Sequence, residues 1–439
     1  MYDVIVIGAR VAGAPTAMLL ARKGYKVLLV DRSSFPSDTL STHQVQLRGV
    51  AVLNRWGLLD QIINTNCPPI SHASFITGKQ ILKGKFPPLD GVAAILCPRR
   101  ILLDKILVDA AVEAGVELRE DYLVEGVTLD GNTVNGILGH SKSSGSGNGM
   151  SSREAARLVI GADGKHSLVA KEVNAQEYNT KPVLTCAYYS YWEGVEMNGG
   201  EMYLQDQGVV GVWPTNNDLT LIYTAYPIAK FQEVRKNIEA SFWESIDALP
   251  KLAERVHNGH IAERFYGTAD LPAFYRRPYG PGWALVGDAG LSMDPVTGQG
   301  IGNAFRDAER MATAIDAIFS GKESFETALT EYERLRNEET FPMYEFTSQI
   351  TEFSPAPIEQ KALFEAMAHK PEAVDQYLGA LTGSVSLQEF FSPHSMLKIM
   401  GIGRMGRIFL SNLISGRKLA TIPNWQVIPG ARKSRRRKR

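Results

Sequence analysis

Apolar and polar positions follow two different periods along this chain, and the changes of period mark its organisation. Val4 to Ile7 is continuously apolar, Gly8 makes a turn, small and apolar residues fill Ala12 to Ala21, and a second apolar run from Val27 to Val30 ends on Asp31. Short unbroken runs on either side of a helix-length stretch predict strand, helix, strand. A helix that opens from a glycine turn offers free backbone N–H groups and the positive end of its dipole, which suits a pyrophosphate. Asp31, 23 positions after Gly8, can accept hydrogen bonds from a ribose diol at the tip of the second strand. The opening unit therefore reads as an adenine-dinucleotide site.

The polar, turn-rich stretch Ser33 to Arg48 leaves that strand tip. Its Ser41, Thr42, His43, Gln46 and Arg48 either contribute polar contacts to the ligand or form an ordinary surface loop leading into a helix around Gly49 to Trp56. Cys67 to Asp90, rich in proline and short β-like runs, reads as an excursion from the nucleotide unit. An amphipathic helix follows from Arg99-Arg100, with Leu102, Leu103, Ile106, Leu107, Ala110 and Ala114 on one stripe and Gly115 at its end. Val124 to Leu138, turning at Asp130-Gly131-Asn132, predicts a β-meander, and Gly139 to Ser152 a flexible connector. Arg157 to Ile160 is a further buried strand, ending in Gly161-Ala162-Asp163-Gly164.

From Lys181 to Phe265 the pattern becomes alternating and aromatic, with a helical insert near Val234 to Ile246. This predicts a separate, mainly antiparallel layer. Its Tyr188, Tyr189, Tyr191, Trp192, Trp213 and Tyr223 either line an apolar pocket or simply pack the sheet. Trp283 to Val286 is a short strand broken by Gly287-Asp288-Ala289-Gly290, and the loop LSMDPVTGQGIG leads into a helix from about Asn303 to Ile318. Gly298 and Gly300 flank Gln299 at that helix start, where bare N–H groups would stabilise negative charge on a bound ring. Residues 323 to 390 read as helical, and Met396 to Leu419 combines apolar and basic residues around three glycines. That segment is expected to pack on the body rather than on a membrane surface.

Composition narrows the classes. The 439 residues fit roughly two or three packed units. Lys+Arg and Asp+Glu are both 47, but the last nine residues hold seven of the basic ones, which leaves the remainder at −7. Such a body does not suit nucleic acid, and the tail reads as a solvated, disordered end. Cys67, Cys97 and Cys186 form no C-x-x-C pair and are odd in number, so a reducing, cytoplasmic setting is expected rather than a disulfide framework or a zinc ribbon. No run approaches the roughly 18 apolar residues of a membrane span, and no secretory signal pattern opens the chain. His257 and His260 are expected in a solvent-facing loop, with no metal.

The dinucleotide fingerprint G-x-G-x-x-G is here Gly8-Ala9-Arg10-Val11-Ala12-Gly13, with arginine in place of the middle glycine. Arg10 could meet the phosphates with its own charge or hold the ligand slightly further out. A literal match, Gly401-Ile402-Gly403-Arg404-Met405-Gly406, lacks a preceding strand and a following acid-tipped one, so it is not expected to touch a nucleotide.

Three separated stretches, GARVAG with Asp31, GADGKHS at 161 to 167 and GDAGLSMDPVTGQGIGNAFRDA at 287 to 308, resemble the FAD-dependent monooxygenases of the para-hydroxybenzoate hydroxylase type. Geranylgeranyl-reductase-like enzymes and flavin-dependent halogenases share that scaffold. The resemblance implies an α/β fold: a Rossmann-like FAD-binding domain of the glutathione-reductase type, with an inserted, mainly antiparallel β-sheet substrate domain and a C-terminal helical region. The implied boundaries are 1–70, 96–175 and 266–322 for the discontinuous FAD domain, 71–95 and 176–265 for the substrate domain, 323–430 for the helices and 431–439 for the basic tail.

The resemblance also implies a cofactor set. Gly8, Arg10, Val11, Ala12 and Gly13 would surround the FAD pyrophosphate, Asp31 with Arg32 would meet the adenosine ribose, and Thr42 would lie alongside. Arg100, four residues before Asp104, would reach the phosphates or ribityl chain. Asp163 and Gly164 form the motif that serves FAD and NAD(P)H, and Gly287 and Asp288 bind the ribityl hydroxyls. Pro295, Gly298, Gln299, Gly300 and Ile301 would border the isoalloxazine ring. No catalytic side chain is implied beyond the flavin. The implied reaction is NAD(P)H-dependent hydroxylation of an apolar or aromatic small molecule by molecular oxygen, through a flavin C4a-hydroperoxide. The alternative is reduction or dehydrogenation of a C–C bond in a prenyl or polyketide-like substrate. Leu291 and Ala170 stand where many phenol hydroxylases carry His and Arg, and the halogenase pattern W-x-W-x-I-P is absent, so halogenation is not expected.

Overall fold

A computed structural model of the protein describes residues 1–78, 80–142 and 151–415; residues 143–150 of the expected connector and the basic tail 431–439 lie outside the described residues. The opening unit forms strand Tyr2–Ile7, helix Gly13–Ala21 and strand Val27–Val30. Its runs are unbroken because both strands are central. Tyr2–Ile7 pairs in parallel with Val27–Val30 on one side and with Ser152–Gly161 on the other, and Trp283–Leu285 and Glu117–Arg119 extend the parallel order outward.

Alternate residues then face different layers. Val4, Val6 and Leu29 join Met18, Leu103, Leu107, Met311 and Ile315 from helices Gly13–Ala21, Arg100–Glu113 and Gly300–Phe319. Ile5, Ile7, Leu28 and Val30 instead pack against Tyr122, Val134 and Ile137 of the meander Tyr122–Asp130 and Thr133–Ser141. The expected connector is shorter than its composition suggested: Gly139 to Ser141 belong to the meander strand, and Gly139 pairs with Ser152.

The second sheet has eight strands and is mainly antiparallel, built on Thr185–Glu193, Thr220–Pro227, Gly208–Pro214 and Gly200–Gln205. The excursion at 67–90 supplies two of its strands, His72–Thr77 and Gln80–Lys85, the first pairing in parallel with Gly200–Gln205. The helical insert is longer than expected: Phe231–Lys236 and Ile238–Asp247 are followed by Pro250–Asn258, whose proline sits in the first turn and whose Leu252, Ala253 and Val256 are buried.

Strand alternation divides the six aromatics. Tyr189, Tyr191, Trp213 and Tyr223 share a cluster with Leu47, Val296 and the C-terminal helices. Trp192 lies on the other face, stacked on Phe242 at 5.2 Å between centroids, and Tyr188 packs there with Tyr226.

The C-terminal region comprises Phe325–Thr351, Ile358–Met367, Pro371–Thr382, Leu387–Phe390 and Pro393–Ser415. Met396 and Ile399 pack on the body as expected, while Ile402 is 79% exposed just after the left-handed Gly401. The literal G-x-G-x-x-G thus lies in a kinked helix, with no strand before it. His257 and His260 are not in one loop: His257 ends a helix and pairs with Asp247 at 2.8 Å, while His260 starts a short strand and pairs with Glu193 at 2.7 Å. Among the described residues, no helix is long and apolar enough to cross a membrane.

Candidate cofactor and substrate site

Strand ends, helix starts and turns of the first sheet converge at one edge. Gly8 has φ +99°, and a Cβ there would lie 2.5 Å from the Ala162 carbonyl oxygen; a Cβ on Gly13 would lie 1.7 Å from the Gly8 oxygen. Only glycine lets the first turn, the first helix and the loop after Ser152–Gly161 approach so closely. Asp31 stands at the strand tip, where its Oδ2 accepts from the Ala9 N–H at 2.7 Å and its Oδ1 from the Ser33 N–H at 2.8 Å. The carboxylate therefore fixes the turn while each oxygen keeps a second lone pair.

Arg10 is tied down by protein partners. Its guanidinium donates to Asp104 at 2.7 Å and to the Ser37 carbonyl and hydroxyl at 3.2 and 2.9 Å. Asp104 is fully buried and also accepts from Arg100 at 2.9 and 3.0 Å. One carboxylate thus serves two guanidiniums, and Arg10 straps the glycine turn to the 35–38 chain. Arg32, next to Asp31, is exposed.

Asp163 accepts from the Leu168 and Val169 N–H groups at 2.7 and 3.3 Å, but its Oδ1 is buried without a partner. Burial raises its carboxyl above the ordinary value against the pull of Ser167 and backbone donors. Asp288 follows Gly287, whose φ is +58°. Its side chain is exposed to solvent, with protein packed around it. That enclosure raises its carboxyl, Arg100 and Lys165 draw it down, and Asp307 adds to the rise.

Gly298 is left-handed, φ +64°, and a Cβ there would lie 2.2 Å from Gln44 Oε1. Gln46 Nε2 donates to the Thr297 carbonyl at 2.9 Å, which seats the 44–46 chain on the Pro295–Thr297 turn. Helix Gly300–Phe319 starts three residues earlier than expected and has no side-chain cap, because Gln299 donates instead to the Thr297 and Leu381 carbonyls. Ile301 is buried in its first turn. Asp294, not singled out from the sequence, accepts from the Val296 N–H at 2.9 Å and from the Thr185 hydroxyl, and burial raises its carboxyl.

The 41–48 chain is not an ordinary surface loop. His43, Gln44 and Gln46 are buried, Ser41 accepts from the His43 N–H at 3.0 Å, and the Thr42 carbonyl faces Cys97. Arg48 turns away, to Gly383 and Glu339. Four buried polar atoms here have no partner: His43 Nδ1, Gln44 Nε2, Gln46 Oε1 and the Tyr223 hydroxyl. Tyr223 pairs across the sheet with Tyr189, against whose ring His43 stands edge-on at 5.4 Å.

These features fit a flavin dinucleotide. The glycine cradle and helix start suit a diphosphate, the enclosed Asp288 suits hydroxyls, and the uncapped helix Gly300–Phe319 suits a ring that gains negative charge. The sequence offered no signal for Gln44 or Asp294 beyond their polarity, while Asp104 was marked only as the helix acid that follows Arg100.

Comparison with known proteins agrees with the fold. A family model described as FAD binding domain matches residues 1–345. A digeranylgeranylglycerophospholipid reductase of Methanosarcina acetivorans is 27% identical over 360 residues, covering 77% of this chain and 81% of the reductase. A 6-methylpretetramide 4-monooxygenase of Streptomyces rimosus is 25% identical over 333 residues, covering 70% of this chain and 73% of that enzyme. A flavin-dependent brominase of known structure superposes with a TM-score of 0.77 at 19% identity, over 95% of this chain and 100% of the brominase.

Proposed function

We propose, from the premise that the chain belongs to the FAD binding domain family, that this FAD-dependent oxidoreductase is an NAD(P)H-dependent monooxygenase hydroxylating a flat aromatic molecule. The observation that carries the reading is the sheet face of Tyr189, Tyr191, Trp213 and Tyr223. It shares a core with Val296 of the Pro295–Thr297 turn, and its Tyr223 hydroxyl, like His43 Nδ1, Gln44 Nε2 and Gln46 Oε1 of the neighbouring 43–46 chain, is buried without a partner. A hydrocarbon chain would leave those atoms unpaired at a cost of about 1–3 kcal/mol each, whereas an oxygen-bearing ring can satisfy them.

Bound FAD supplies the electron transfer and the activation of oxygen. In this reading the chain holds and orients it. The N–H groups from Val11 to Gly13 take the diphosphate, Asp31 the adenosine ribose, and Arg100, held by Asp104, the phosphates or ribityl chain. Asp163, Gly164, Gly287 and Asp288 take the remaining hydroxyls. Pro295, Gly298, Gln299, Gly300 and Ile301 would border the ring, and the helix start would balance negative charge on it. NAD(P)H docks transiently, and the three free buried cysteines suit a reducing cytoplasm.

The similarity to the archaeal reductase favours a second reading, reduction of a C–C bond, which oxygen dependence separates from the first. The site assignment is tested by Asp288→Ala, which is expected to lose most of its flavin on purification. Full FAD occupancy in that variant would contradict it.

A further inference from the structure

We propose that His43 is a preset hydrogen-bond donor whose Nδ1–H is reserved for an oxygen acceptor on the flavin ring or on the substrate. The inference rests on the reading of this pocket as the flavin and substrate site. Four observations converge on it. First, His43 is completely buried, and its backbone is left-handed at φ +60°, a conformation a histidine rarely keeps without a surrounding structure that imposes it.

Second, its ring is clamped. It stacks on Tyr191 at 5.8 Å and 14°, meets Tyr189 edge-on at 5.4 Å and 78°, and hydrogen-bonds through Nε2 to the Tyr191 hydroxyl. The Arg99 guanidinium covers the Tyr191 ring at 4.5 Å.

Third, the clamp selects a tautomer. No other hydrogen bond is seen for the Tyr191 hydroxyl among the described residues, and in the proposed arrangement it donates its proton to Nε2. An imidazole that accepts at Nε2 carries its hydrogen on Nδ1. The ring stays neutral, since burial and the charges of Arg100 and Arg99 push its pKa down to about 3.

Fourth, Nδ1 has no partner. A buried, fixed donor without an acceptor is unfavourable unless a ligand completes it. The nearby positive charges of Arg100 and Arg99 favour an acceptor with negative character, such as a ring carbonyl or a phenolate.

Two variants separate the two nitrogens in the flavin-loaded protein. His43→Asn keeps a donor near the Nδ1 position and suits the left-handed backbone, whereas His43→Gln reaches toward Tyr191 but offers nothing at Nδ1. The readouts are the visible spectrum and midpoint potential of the flavin, and spectral titration with 2-naphthol against naphthalene. If the acceptor is on the flavin, His43→Gln shifts the spectrum and potential and His43→Asn does not. If it is on the substrate, the wild type prefers 2-naphthol by at least tenfold, a preference lost in His43→Gln and kept in His43→Asn. A wild-type flavin spectrum and potential in His43→Gln, with no such preference lost, overturns the proposal. Should the variants fold poorly, nitrogen-15 spectra of histidine-labelled wild type decide it: a protonated Nε2 on His43 overturns the proposal, and a protonated Nδ1 sustains it. The tautomer is read without turnover, so it remains decisive even if the monooxygenase reading fails.

Discussion

Acid should destabilise this protein through the single buried ring of His43, by an amount the structure allows to be worked out. The folded-state pKa is about 3 and the ordinary value 6.5. Above 6.5 both folded and unfolded chains leave the ring neutral. As pH falls below 6.5 the unfolded chain takes up a proton that the native ring refuses, so stability present above 6.5 is progressively lost down to about pH 3. At about pH 5 the loss attributable to His43 is about 2 kcal/mol, from about 1.5 pH units at 1.36 kcal/mol each. Asp163, Asp288 and Asp294 act with the opposite sign, because their raised carboxyls hold protons more tightly when folded. Their effect cancels in a difference between two proteins that share them. The assay is urea unfolding followed by tryptophan fluorescence at about pH 7.5 and 5 for the wild type and His43→Asn, read as the difference of the two acid-induced changes. Equal changes in the two proteins would refute both the burial argument and the neutral ring.

Two substitutions test the cradle. Gly298→Ala places a Cβ 2.2 Å from Gln44 Oε1 on a left-handed backbone, so it should displace the 44–46 chain, cost about 1–3 kcal/mol and lower FAD occupancy, measured by melting and by the flavin-to-protein absorbance ratio. Arg10→Gly restores the usual fingerprint yet should weaken FAD binding, because it releases the 35–38 chain and leaves buried Asp104 with Arg100 alone; tighter binding, by fluorescence titration of the apoprotein, would show that Arg10 obstructs the site.

What was legible in the chain was what neighbours in sequence determine. The strand, turn and helix from Tyr2 to Ala21 follow from periodicity and two glycines, and Asp31 follows from its place at a strand tip. The partners were not legible, because tertiary packing chose them from far away. Arg10 meets Asp104, 94 positions on, and nothing local in either segment announces the pair. His43 looked like one polar residue among several, since burial by Tyr189 and Tyr191 comes from a strand 148 positions later. The division of the aromatics between two faces was implicit in the alternation, but which face meets the Pro295–Thr297 turn is fixed only when both sheets pack. The helix Pro250–Asn258 was passed over because its apolar residues are few and a proline opens it.

The most direct test of the central claim is the visible spectrum of the purified protein while NADPH and then air are added. The account predicts a bound flavin whose absorbance is bleached by NADPH and returns in air through a transient distinct from both the reduced and the oxidised forms. A flavin that returns directly to the oxidised form would favour the C–C bond reductase, and a colourless protein unable to take up FAD would contradict the account as a whole.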